Sequence, residues 1–130
     1  KEILSVYGQT EASPGCTMGE VNESLEDRTE TVGSAFPHIE CKIIDPETGE
    51  DLPDGENGEF VARGYNIMKG YYKMPKATEA AIDKDGWLHS GDIAVPVQEV
   101  IEVIDGVAYL SQEPDLSRKR FYKTFKAENI

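Results

Sequence analysis

Residues 39–64 read IECKIIDPETGEDLPDGENGEFVARG, and this stretch decides the fold. Ile39, Cys41 and Ile43 alternate with Glu40 and Lys42, the period of two that marks a strand with one apolar face. Asp45-Pro46-Glu47-Thr48-Gly49 then supplies turn chemistry, and Pro53-Asp54-Gly55-Glu56-Asn57-Gly58 supplies a second turn. Glu59-Phe60-Val61-Ala62-Arg63 resumes the alternation, and Gly64 is placed to end or bulge that strand.

Upstream, Ile3-Leu4-Ser5-Val6 reads as the end of a buried strand, followed at once by Tyr7-Gly8-Gln9-Thr10-Glu11. Residues 11–32 are polar, acidic and without period, so they read as a long surface loop, of a kind that is usually functional or disordered, with the acidic stretch near Glu20–Glu30 simply solvated. Downstream, residues 75–82 form the best helix, with Pro75 at its first position and Asp85-Gly86 beyond its end. Trp87–Ala94 is a further strand candidate, broken at Pro96. Val97–Ile104 and Val107–Leu110 flank Asp105-Gly106, a strong hairpin signal. The last twenty residues yield no clear element. The expected fold is mainly β with a short helix, an α+β arrangement.

At 130 residues the chain fits one domain with a real core. A net charge of −12 argues against nucleic acid and against anionic membrane surfaces. It leaves room for a small anionic ligand, which backbone amides and a metal can hold locally. No apolar run approaches the ~20 residues of a transmembrane segment, and no secretory leader is read. Cys16 and Cys41 fit no zinc spacing and read as reduced thiols of a cytoplasmic protein. Trp87 reads as core and His38 as a loop residue. His89 reads as structural or substrate-neighbouring rather than catalytic, since no nucleophile accompanies it. The basic groups of 118–126 read as a solvated face.

Tyr7-Gly8-Gln9-Thr10-Glu11, the phrase VGSAFPHIECKIIDPETGEDLPDGENGEFVARGYNIMKGYY at 32–72, and Gly86-Trp87-Leu88-His89-Ser90-Gly91-Asp92 stand in this order. Their order and spacing resemble the AMP-forming acyl-CoA synthetases of the adenylate-forming superfamily, most closely the fatty-acyl and medium-chain branch. The resemblance implies a piece of a longer enzyme: residues 1–34 a strand end and nucleotide-facing loop of its large domain, 35–97 a distorted β-barrel subdomain, 98–130 a hairpin and the start of a hinge. It implies activation of a small-molecule carboxylic acid with ATP as acyl-AMP, with transfer to coenzyme A. Tyr7 would lie against adenine, and Gly8 and Gln9 would form the turn beside the nucleotide. Thr10 would donate to the α-phosphate, Glu11 would hold Mg2+, and Asp92 would accept from the ribose hydroxyls.

Two family features fall outside these residues: the glycine-rich Ser/Thr/Gly loop for the outer phosphates and the late catalytic lysine. Ser90 stands where threonine is commoner. SQEPDLSRKRFYKTFKAENI matches the hinge region only at Glu128-Asn129-Ile130. The chain by itself is therefore expected to be inactive. Two other readings stay open: a free-standing, non-catalytic β module that binds a partner or forms a homodimer through exposed sheet edges, and adenylation with a carrier-protein acceptor.

Overall fold

The computed structural model describes residues 3–97, 100–104, 107–110 and 120–123. Among the described residues, nine strands and two short helices are formed: β1 (Val6–Gly8), β2 (Gly15–Met18), α1 (Leu25–Glu30), β3 (Thr31–Ala35), β4 (Ile39–Ile44), β5 (Gly58–Gly64), α2 (Pro75–Ala81), β6 (Leu88–Val97), β7 (Val100–Ile104), β8 (Val107–Leu110) and β9 (Arg120–Lys123). All pairings are antiparallel. Seven strands make one sheet in the order β1-β2-β3-β9-β6-β5-β4, and β7 pairs with β8 alone. The mainly β, α+β expectation holds, and among the described residues neither sheet closes on itself.

The β4–β5 pair is where local chemistry and fold agree most closely. The two strands align from Ile39 opposite Gly64 to Ile44 opposite Glu59. Asp45 Oδ1 accepts from the amides of Glu47 (2.7 Å) and Thr48 (3.2 Å), an Asx turn that reverses the chain. The helix expected at 75–82 is α2. The strand after it is β6, where Asp83 Oδ1 accepts from Asp85 N and Trp87 N at 2.9 Å each and shapes the approach. Pro96 does not break β6. Strand β5 pairs with β6 only as far as Ala94, so among the described residues β6 has a single neighbour, β9, at Pro96, the kind of edge position where a proline is tolerated. The paired strands β7 and β8 agree with the hairpin reading, while its turn residues Asp105 and Gly106 lie outside the described residues, as does Glu128-Asn129-Ile130.

Three further expectations need correction. Residues 11–32 are not a loop: they hold a 3-10 turn, β2 and α1. Helix α1 buries no residue and so shows no apolar stripe; Ser24 caps it by accepting from Asp27 N at 3.0 Å. Strand β2 is fixed from outside, with Thr17 Oγ1 donating to Val32 O at 2.6 Å. Nor are residues 3–6 a buried strand. The strand starts at Val6, Ile3 lies before it and is 85% exposed, and Val6 is 58% exposed on a strand that, among the described residues, pairs with β2 alone. Trp87 is half-buried rather than core. Lys42 Nζ and the Arg63 guanidinium sit 4.5 and 4.4 Å from its ring, one cation–π contact each. His38 is exposed, as expected.

The core gathers Ala12, Cys16, Ile43, Phe60, Ala62, Leu88 and Ala94. Two consequences are measurable. Gly33 lies at φ +78°, and a Cβ there would fall 2.1 Å from the Met18 carbonyl carbon; Gly49 lies at φ +76° with open space around it. Gly49→Ala should cost about 1 kcal/mol, from backbone conformation alone. Gly33→Ala should cost about 3 kcal/mol or more, since the methyl also overlaps backbone; urea unfolding of the two variants compares them. Burial pushes the Cys16 thiol up to about 11 and raises that of Cys41 as well. A raised thiol pKa keeps the thiolate scarce at neutral pH, so iodoacetamide at about pH 8 should leave both cysteines unmodified in the native chain and modify both in concentrated urea.

Candidate functional site

Strand β1 ends in Tyr7-Gly8 and turns into the 3-10 turn Thr10–Ala12, so Tyr7, Gly8, Gln9, Thr10 and Glu11 follow one another round a single corner. Gln9 is extended (φ −152°, ψ 165°) and its carbonyl accepts from Ala12 N at 2.9 Å. Gly8 has an internal reason to be glycine: a Cβ would fall 1.8 Å from the Pro14 carbonyl oxygen. Thr10 is exposed at the head of the turn.

Asp92 arrives from β6. Tyr7 Oη donates to Asp92 Oδ2 at 2.7 Å, joining residues 85 positions apart in sequence. The Tyr7 ring packs edge-on against Phe60, with centroids 5.0 Å apart and an interplanar angle of 76°. Burial, and then donation to Asp92, hold the Tyr7 hydroxyl well above the usual phenol range. A small pocket beside this pair is lined by Tyr7, Val32, Phe60, Asp92, Ile93 and Ala94.

The approach to Asp92 is held at each step. Ser90 Oγ donates to Phe60 O at 2.5 Å and accepts from Asp92 N at 3.1 Å. Glu59 takes Gly91 N on one carboxylate oxygen (3.0 Å) and His89 Nδ1 on the other (3.0 Å), while His89 Nε2 lies 3.6 Å from Asp83 Oδ2. His89 thus sits between two carboxylates, in a supporting role.

Glu11 faces elsewhere. Tyr71 Oη donates to Glu11 Oε1 at 2.7 Å and holds that carboxyl below the usual range. Met68 N donates to Glu11 O at 2.8 Å. Asn66 Nδ2 donates to Ala12 O (3.0 Å) and Gly15 O (2.9 Å). Segment 66–71, between β5 and α2, therefore braces the turn that carries Thr10 and Glu11. Gly70-Tyr71-Tyr72 closes the motif phrase at 32–72, yet nothing in the sequence gives either tyrosine a task; Asn66 carries no sequence signal, and Glu59 shows only the alternation of a strand.

The chemistry of the donors bears on a cation. Among the described residues no group of three or more His, Cys, Asp or Glu could hold an ion. A single exposed carboxylate on a braced turn does fit Mg2+ that keeps its waters and is shared with substrate phosphates. No described helix is long and apolar enough to cross a membrane.

Comparison with known proteins gives the family. Residues 1–72 match the family model described as AMP-binding enzyme, and the chain belongs to that family. The acyl-CoA ligase SID4 of Ajellomyces capsulatus is 49% identical over 98 residues, covering 72% of this chain and 17% of that protein. The 4-coumarate–CoA ligase 1 of Glycine max is 48% identical over 89 residues, covering 67% of this chain and 30% of that protein. Among solved structures, the long-chain-fatty-acid–CoA ligase FadD1 of Archaeoglobus fulgidus superimposes with TM-score 0.67 at 29% identity, covering 95% of this chain and 22% of that one. The chain thus spans less than a third of the length of each.

The brace generates a test. Asn66 is 7% exposed and spends both amide hydrogens on carbonyls of the turn. Asn66→Ala should lower stability by about 1–3 kcal/mol. Asn66→Asp, similar in size but aiming an acceptor at two acceptors, should cost more; urea unfolding midpoints rank the two variants.

Proposed function

We propose that this chain is the adenylate-site edge and adjoining β subdomain of an AMP-forming acid–thiol ligase, with 1–34 belonging to the large domain, 35–97 to the β-barrel subdomain and 98–130 leading toward a hinge. The reaction is activation of a fatty or medium-chain carboxylic acid with ATP as acyl-AMP, then transfer of the acyl group to the coenzyme A thiol, in the cytoplasm. The observation that carries the reading is the 2.7 Å bond between Tyr7 and Asp92, which brings the two ends of the motif pattern to one place.

In this reading the Tyr7 ring offers a flat apolar face to adenine, and its hydroxyl fixes Asp92 through one carboxylate oxygen. The other oxygen is left for the ribose diol. The Thr10 hydroxyl donates to the α-phosphate. Glu11 holds Mg2+, which when bound offsets phosphate charge. That charge is a real obstacle here, because the chain itself carries a net charge of −12. The remaining phosphate contacts come from residues outside these 130. Similarity to a long-chain-fatty-acid–CoA ligase supports the fatty-acid assignment; similarity to a 4-coumarate–CoA ligase makes the aromatic acid its competitor.

The test is ATP–pyrophosphate exchange by the full-length protein with decanoate, palmitate and 4-coumarate in turn. Exchange with the aliphatic acids is expected; exchange with 4-coumarate alone overturns the acid assignment, and none with any acid overturns the reading. Thr10→Ala and Asp92→Ala should each lower the exchange rate by about 100-fold, the scale of losing one charge-stabilising contact. The 130 residues alone should release no pyrophosphate.

A further inference from the structure

We propose that Tyr71 is a positioning residue for Glu11: its phenol hydroxyl sets the carboxylate so that Oε2 is presented to the divalent cation that enters with ATP. The inference rests on the function proposed above and extends it to a residue for which that function gives no role.

An exposed hydrogen bond alone carries little. This one is set between two backbones that are already fixed. On one side, Glu11 O accepts from Met68 N at 2.8 Å, and the next residues of the turn are clamped through Ala12 O and Gly15 O by Asn66. On the other side, Tyr71 N donates to Thr78 Oγ1 at 2.9 Å, and Thr78 Oγ1 donates to Met74 O at 3.0 Å, which ties the tyrosine to the first turn of α2. Gly70, at φ +146°, makes that contact possible, because a Cβ there would come within 2.7 Å of the Thr78 methyl. With both ends anchored, closing the Tyr71–Glu11 bond orders little more than two side chains.

The donor type matters as much as the anchoring. A lysine or arginine would orient the carboxylate but cancel its charge and compete with the cation. A phenol orients one oxygen, Oε1, and leaves the carboxylate charge in place, with Oε2 outside the bond to Tyr71. Neutral outer groups that orient a ligating side chain commonly set metal affinity. Tyr72, next in sequence and 85% exposed, lies clear of Glu11 and serves as the control.

The test uses the full-length protein with ATP and Mn2+ as the probe, free Mn2+ being read by its paramagnetic resonance signal. Tyr71→Phe should weaken Mn2+ affinity on the order of tenfold, and Tyr72→Phe should not change it. Acyl transfer to coenzyme A from supplied acyl-adenylate, which carries no β- or γ-phosphate, should be unaffected by Tyr71→Phe. Glu11→Gln separates the two levels of argument. If it weakens Mn2+ binding and Tyr71→Phe does not, the role of Tyr71 is overturned and the functional reading stands. If Glu11→Gln leaves Mn2+ binding intact, the functional reading at Glu11 fails, and the inference with it. A Tyr71→Phe variant that loses acyl transfer as well marks a merely structural tyrosine and overturns the proposal.

Discussion

Phe60 is the contact on which the arrangement depends. It is 2% exposed, packs edge-on against Tyr7, and accepts Ser90 Oγ on its carbonyl. The same hydroxyl receives Asp92 N, so one residue of β5 supports Tyr7 through its ring and Asp92 through its backbone. The hydrogen bond between Tyr7 and Asp92 then closes a small ring of contacts across β1, β5 and β6. Burial makes this ring stiff, because a ring atom without space to move transmits its position to whatever leans on it.

Strand β5 can serve in this way because it is covered on both sides. Phe60, Val61 and Ala62 are successive and nearly inaccessible. Phe60 and Ala62 belong to the core, while Val61 points the other way, between Lys42 and His89 on the neighbouring strands. On that second face Trp87 carries Lys42 and Arg63 against its ring, and Arg63 pairs with both oxygens of Glu40 at 3.1 and 2.8 Å. Long cationic side chains laid over an aromatic and a valine can shield apolar surface while their heads stay wet.

The second support is the brace from 66–71, which acts on Thr10–Gly15 rather than on Tyr7 or Asp92. The candidate site therefore has two halves held by different means. One is set by a buried ring and a strand pairing. The other is set by hydrogen bonds to the backbone of a turn. In the proposed chemistry the first half meets the nucleoside and the second the phosphates, which matches an apolar face to the base and polar groups to the charge.

Much was legible in the sequence. The Asp45–Gly49 turn, the strands on either side of it and α2 with its proline start follow from local rules of period and turn residues, while Tyr7, Thr10, Glu11 and Asp92 stand out as candidates only through the resemblance of their motifs to a family. What local rules cannot supply is a partner far away in the chain. That is why β2 hides in an aperiodic stretch and β9 in an unclear one. β9 inserts between β3 and β6 and joins the two halves of the sheet, a position set by pairing alone. It is also why Ile3 and Val6, apolar by type, stand exposed, and why Trp87 lies under cations instead of in the core. By itself, then, the sequence determined the strands with a clear period, the turn between them and the motif that marks the family. Only the tertiary structure decided that Tyr7 holds Asp92 and Tyr71 holds Glu11, because each bond joins residues 85 and 60 positions apart, whose meeting depends on the whole sheet.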